Sequence, residues 1–346
     1  MVISKREPRQ TSKSSKHCDR RLIFSGRKRT ERSYPGVGSA RGNVKLIDTE
    51  EYAGLLQEFA GQIQITQVIS PSAFENIDIA FFTCSPEIMR AFAASGAAIP
   101  EVSIDLTQTG REGTLFLNGL TSLSLISPIR ESAYFVSPHP SVIVLARILS
   151  GLQRRFAVES VSVTILEPAS ERGAAGIDEL QEQTVRLLNF QPAGSKLFKG
   201  QIAFNILPET EAANGTENLI RSQLAALLGN SVPSPSLMMH QAPVFHSESF
   251  SMFVRFVKAN AAPTTEEIRR CLAEASGGVV VNENPEDGPS PVSVVGSDKV
   301  HIGRIAQDPG DPSIYGFWMT ADNLRIAASN ALGIAESIML SAATPR

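Results

Sequence analysis

Over residues 43–144, short apolar runs alternate with helically spaced segments. Val44–Asp48 (VKLID) has the length of a strand, Tyr52–Phe59 carries helical spacing, and Ile63–Ile69 alternates like a half-buried strand. Asp78–Thr83 (DIAFFT) is almost continuously apolar, as befits a parallel strand buried on both faces. Pro86–Ser95 reads as a helix, and Val102–Leu106 and Tyr134–Val136 read as strands. Strands alternating with helices predict a doubly wound, parallel α/β sheet.

The rhythm changes near residue 150. Val158–Leu166 (VESVSVTIL) alternates over eight or nine residues, in the manner of an antiparallel strand, and Ser249–Val257, Gly278–Val281 and Ser293–Ile305 are further strand candidates. Gly176–Leu188 and Thr216–Leu228 have helical spacing. Thr264–Glu274 is a helix that opens after Pro263, with Glu266 and Glu267 in its first turn to complement the backbone dipole. Asp322–Leu340 closes the chain as one long helix. This half reads as an α+β domain.

The first 42 residues differ in kind. They hold 12 Lys/Arg against 3 Asp/Glu, whereas the rest of the chain holds 20 against 32. Poor in apolar residues, they cannot bury enough surface to offset chain entropy, so disorder is expected. A nucleic-acid-binding tail, a targeting peptide, and a stretch foreign to the native fold compete as readings. Nucleic acid is the less favoured partner, since charge runs are usually solvated. No apolar run reaches the ~18 residues of a membrane span. Cys18, Cys84 and Cys271 show no zinc or disulfide spacing, so no metal is expected and a reducing cytoplasm fits best.

Candidate chemistry centres on a corner, Phe135–Val144 (FVSPHPSVIV), where a strand runs through Ser137-Pro138-His139-Pro140-Ser141 into a helix. Four later strings carry a family resemblance: Gly176–Thr184 (GIDELQEQT), Gln201–Pro208 (QIAFNILP), Ala242–Ser249 (APVFHSES) and Trp318–Glu336 (WMTADNLRIAASNALGIAE). In this order and spacing the chain resembles the aspartate-semialdehyde dehydrogenases, from Asn43 to near its end. The resemblance implies a dinucleotide-binding-type domain at 43–144 and 320–342, a catalytic and dimerisation-type domain at 145–319, and a homodimer. It also implies a reaction in which a cysteine thiolate forms a thioester that hydride then reduces.

The resemblance places the nucleophile at Pro140, which has neither a nucleophilic group nor an N–H. It places the general base at His246 and the substrate-phosphate arginine at Arg111. The substrate-binding glutamine becomes Glu167, and the arginine that clamps the substrate carboxylate becomes Gln241. A neutral amide cannot reproduce a bidentate guanidinium. Thr49, Ser170, Glu171 and Asn323 fall at cofactor-facing positions for NAD or NADP, with binding weakened or lost. The acidic Asp48-Thr49-Glu50-Glu51 loop suits a ribose hydroxyl better than a 2′-phosphate, so NAD is expected to bind more tightly than NADP.

The Gly36–Gly42 cluster has no strand before it and no helix after it, so it is not a dinucleotide loop. The family's first strand and its glycine turn are therefore expected to be missing, with 1–42 in their place through a wrong start or a shifted reading frame. Cys84, at the end of DIAFFT, reads as a small buried hydrophobe. The overall expectation is a catalytically impaired relative; the alternative is a working NAD(P)-dependent enzyme that uses Cys84, or a water beside His246.

Overall fold

The computed structural model describes residues 2–5, 44–59, 62–96, 99–100, 102–109, 111–121, 133–208, 215–257, 262–275, 278–282, 284 and 288–343. The chain divides into two compact units, 1–138 with 327–346, and 139–326.

The first unit is built on strands β1 (Val2–Lys5), β2 (Val44–Asp48), β3 (Leu56–Phe59), β4 (Gln62–Ile65), β5 (Gln67–Val68), β6 (Ile77–Phe82), β7 (Val102–Asp105), β8 (Thr114–Leu115) and β9 (Ala133–Val136), with helix α1 (Pro86–Ala94). The main sheet has the order β5-β2-β1-β6-β7-β9-β8, and β2/β5, β6/β7, β7/β9 and β8/β9 are parallel. Ile79, Ala80, Phe81 and Phe82 are all buried, which explains the continuous apolar run of β6. Ser85 caps α1 through a hydrogen bond from the Ile88 amide, and Pro86 supplies the first-turn dihedral.

Two expectations are corrected in this unit. Tyr52–Phe59 is not a helix: Gly54, at φ +77°, turns the chain. Beyond it Leu56 pairs with Ile65 in the β3–β4 hairpin. Residues 2–5, expected to be disordered, form β1 between β2 and β6 and run antiparallel to both. A strand in that slot supplies partners for the facing N–H and C=O groups of β2 and β6, which would otherwise be unpaired. The remainder of the basic segment, with Cys18 and the Gly36–Gly42 cluster, lies outside the described residues.

The second unit contains α2 (Pro140–Gln153), β10 (Val158–Glu167), α3 (Gly173–Leu188), β11 (Leu207–Pro208), α4 (Thr216–Leu228), β12 (Ser236–Gln241), β13 (Glu248–Phe256), α5 (Thr265–Glu274), β14 (Val279–Val281), β15 (Val300–Gln307) and β16 (Ile314–Ala321). Its sheet order is β11-β12-β10-β13-β16-β15-β14. Helix α2 packs against both α4 and α5, and all three pack against the sheet. Inward residues alternate along each strand, as with Phe250, Met252, Val254 and Phe256 on β13. Patterning had missed β12 and β16, and β15 starts seven residues later than expected because 291–296 is a turn.

The final helix α6 (Asn323–Ala343) begins in the second unit and ends in the first. Ala331, Ile334, Ala335 and Ile338 join the first unit's core at helical spacing. Buried Asn330 accepts a hydrogen bond from the Asn118 amide (2.8 Å) and donates to the Phe116 carbonyl (3.1 Å) and to Ser137 Oγ (2.9 Å). It thereby fixes the end of β9, from which the chain enters α2. Among the described residues no helix is long and apolar enough to cross a membrane.

Candidate active site

The sheet of the second unit ends its core-facing side in a polar row. Glu167 on β10 lies opposite Gln241 on β12, and Glu248 on β13 lies opposite Ala321 on β16. Leu166 pairs with Ser249, so continuing that register by one residue brings Glu167 beside Glu248. One step deeper, Ile165, Met239, Phe250 and Met319 are all fully or nearly fully buried. The row Gln241–Glu167–Glu248 thus caps an apolar core, and each of its members is itself at most 4% exposed.

The N-terminus of α2 meets this row. Pro140 is the first helical residue, a position where a missing N–H costs nothing, and His139 is the N-cap. The His139 amide donates to Gln223 Oε1 on α4 at 2.8 Å. Its ring accepts the Ser141 amide at Nδ1 (3.2 Å), and Ser141 Oγ donates to Glu248 Oε1 (3.0 Å). The other ring nitrogen, Nε2, lies 3.2 Å from Glu171 Oε1.

Glu171 sits in the tight turn Ala169–Arg172, which is held against α3 by Gly176; a Cβ there would lie 2.3 Å from the Ala169 carbonyl oxygen. Asn323, at the start of α6, ties this turn to the segment carrying His246. Its Nδ2 donates to Glu171 Oε2 (2.9 Å), while its Oδ1 accepts from Ser170 Oγ (3.2 Å) and the Ser247 amide (3.3 Å). Ser247 is fully buried with φ +74°, a left-handed conformation costly for a residue with a Cβ. The Ala169 and Ser170 amides donate to the Val244 and Phe245 carbonyls, so His246 is carried by a segment laced on both sides.

Electrostatics follow from this crowding. Burial, then the charges of Glu171 and Glu167, push the Glu248 carboxyl up to about 8, so it is a neutral acid near neutral pH. Burial works against the charge on Glu171, but its bond from His139, with Asn323 and Arg172, holds its pKa below the usual carboxylate range. Burial opposes a charged His139, yet Glu171 foremost, with Glu248 and Glu167, raises it to about 9. The Ser141 amide acts the other way, because a proton on Nδ1 would meet that N–H head on. When the ring is neutral, its single proton therefore belongs on Nε2, shared with Glu171.

His139, Glu171 and Glu248 bring ligand-type atoms within 4.8 Å of one another. They do not fit a metal. A histidine ligating through Nε2 carries its proton on Nδ1 and donates it to an acceptor, whereas this Nδ1 faces an amide donor.

Pro140, Glu167, Gln241, Ser170, Glu171, Asn323 and the His246 segment all lie in the second unit. Arg111 and Thr49 lie in the first: Arg111 over the Tyr134 ring, and Thr49 with its amide on Asp48 Oδ1 (2.8 Å). Sequence reasoning did not assign Glu248 a place in the site, nor Ser141 a partner. An acid at an inward position of the alternating strand β13 was the available signal for Glu248.

A doubly wound unit joined to a mixed sheet, with a helix N-terminus tied through Glu171 and Asn323 to a histidine-bearing segment, defines a two-domain dehydrogenase-type protein. Residues 149–326 match the semialdehyde dehydrogenase dimerisation domain. An aspartate-semialdehyde dehydrogenase of Rickettsia conorii is 30% identical over 319 residues, covering 89% of this chain and 91% of the relative. A USG-1 protein homolog of Pseudomonas aeruginosa is 28% identical, covering 86% of this chain and 89% of its own. The solved structure of a probable aspartate-semialdehyde dehydrogenase from Pseudomonas aeruginosa superposes with a TM-score of 0.79 at 26% identity, over 92% of this chain and 97% of that one. The chain belongs to the aspartate-semialdehyde dehydrogenase family.

Proposed function

We propose that this family member does not perform the thioester step and serves as a dimeric binding scaffold. The observation that carries this reading is Pro140 at the head of α2, where resemblance puts the thiolate. The described cysteines offer no substitute. Cys271 donates to the Gly151 carbonyl, eleven residues further along α2 and about 16 Å from Pro140 along the helix axis. Burial raises its thiol pKa, and burial likewise raises that of Cys84, which packs against the first unit's core. A thiol held protonated is a poor nucleophile. Glu167 and Gln241 further weaken the site for an anionic substrate.

A dinucleotide also fits poorly. Among the described residues no Gly-rich turn leads from a parallel strand into a helix, the β2 loop is acidic, and both ends of the Asn323 amide are engaged. Purified protein given aspartate semialdehyde, phosphate, and NAD or NADP is expected to show no turnover above a no-protein control. Turnover abolished by His246→Ala would overturn this reading in favour of an active enzyme with altered chemistry.

The dimer face proposed is the side of the second sheet not covered by α2, α4 and α5. Met238 and Phe253 are exposed on it, and the Phe253 ring lies over Gly316. Phe253→Asp would bury a charge in a homodimer, so the variant is expected to run as a monomer at micromolar concentration. An unchanged mass by light scattering would place the interface elsewhere.

A further inference from the structure

We propose that the outward face of the β3–β4 hairpin is a docking surface for another protein, and that its occupant is an amphipathic helix carrying aliphatic residues beside lysine or arginine. This surface lies wholly in the first unit and does not depend on the reading of Pro140 in the second.

The hairpin is built inside out. Cross-strand partners share a face, so Leu56 with Ile65 and Glu58 with Ile63 line one side, and Gln57 with Gln64 lines the other. Solvation alone would turn the glutamines outward. The structure does the reverse: Leu56, Ile63 and Ile65 are 67%, 71% and 60% exposed, while Gln57 and Gln64 are half-buried. A slip of one residue would exchange the two faces. The base of the hairpin fixes the register against it, because the Gly54 amide donates to the Thr66 carbonyl (2.8 Å) and the Thr66 amide donates to the Leu55 carbonyl (2.9 Å). Leu55 and Val68, on the adjoining segments, are exposed as well. Aliphatic side chains held outward together in this way mark a surface that another molecule covers.

The spacing suits a helix. Ile63 and Ile65 stand about 6.6 Å apart along their strand, and helix side chains at i and i+4 are about 6 Å apart. Leu56, beside Ile65, widens the row by about 5 Å, so the three anchors can receive one apolar helical stripe.

Charge selects the partner. From Leu46 to Ile69 the chain carries Asp48, Glu50, Glu51 and Glu58 and no Lys, Arg or His. Glu58 is exposed on the aliphatic face itself, and Glu50 and Glu51 are exposed in the turn before β3. A second copy of the chain would set acid against acid here, and a nucleic acid or an anionic membrane would meet the same repulsion. A helix with basic residues flanking its apolar stripe complements both the aliphatic row and the acids around it.

The test is fluorescence anisotropy of a labelled helical peptide, leucine on one face and lysine on the other, titrated with the full chain. A twin peptide carries glutamate in place of lysine. The lysine peptide is expected to bind, and the glutamate peptide to bind at least about 10-fold more weakly. The double variant Ile63→Gln, Ile65→Gln should weaken the lysine peptide at least about 10-fold with an unchanged urea midpoint, because both side chains are already exposed in the free protein. Glu58→Lys should weaken it about 3-fold in low salt, and by less at about 0.5 M NaCl. No binding by the parent, equal binding by the parent and the double variant, or equal binding of the two peptides would each overturn the proposal. Two further results would overturn it by naming a different occupant. A mass by light scattering that falls in the double variant would assign the face to a second copy. Peptide binding that emerges only after Arg20→Gln, Arg21→Gln, Arg27→Gln, Lys28→Gln and Arg29→Gln would assign it to the chain's own basic segment.

Discussion

Replacing His139 with alanine is expected to destabilise the second unit by about 3 kcal/mol. The ring caps α2 through Nδ1 and donates to Glu171 through Nε2. Losing a cap costs about 1 kcal/mol, and losing a hydrogen bond to a charged, mostly buried partner costs about 1.5–3 kcal/mol. For a unit of this size that corresponds to a fall in melting temperature of about 6–12 °C. Glu171→Ala should cost less, because without the carboxylate the buried imidazole gives up its extra proton and only a neutral donor is left unpaired. His139→Asn retains an acceptor for the Ser141 amide and should recover about 1 kcal/mol. A fall under about 2 °C in the alanine variant would mean that the His139–Glu171 contact is not formed in solution.

Stability should also fall as the pH rises from about 5 to 8. Glu248 has a folded-state pKa of about 8, raised by burial and by the neighbouring carboxylates. A raised carboxyl contributes stability that is complete below the unfolded value near 4.5 and is lost as pH climbs through the folded value. At about 1.4 kcal/mol per pH unit, the whole span is on the order of 4 kcal/mol. Glu171 has the opposite sign: its depressed pKa gives stability above about 4.5 that disappears in acid, outside this window. Glu248→Gln keeps an acceptor for Ser141 Oγ and removes the carboxyl's share of the titration, so its urea midpoint should fall less steeply than the parent's between pH 5 and 8; the slope that remains above about pH 6.5 comes from His139, whose raised pKa has the same sign. A parent protein with no slope, or a variant with the same slope, would show that Glu248 is ionised in the fold.

Much of the scaffold was legible in the residues because it depends on local periodicity. The buried run of β6, the alternation of β10 and β13, and the capped helices α1 and α5 all announce themselves within a few positions. The failures have equally local causes. Tyr52–Phe59 had helical spacing, but Gly54 turned the chain and a hairpin partner absorbed Leu56. Val2–Lys5 is too short to signal a strand alone and becomes one only because β2 and β6 offer a slot. Glu248 was hidden because its acidity disguises its inward position on β13.

By itself the amino-acid sequence determined the kind of scaffold and that position 140 carries a proline and no thiol, since both rest on residue identity and short-range spacing. Only the tertiary structure decided what surrounds that position. Strand register sets Gln241, Glu167 and Glu248 side by side, and the left-handed Ser247 with Asn323 draws the His246 segment toward Glu171 and His139. These residues stand many tens of positions apart in the chain. Register and long-range hydrogen bonds are properties of the packed sheet, and no local pattern encodes them.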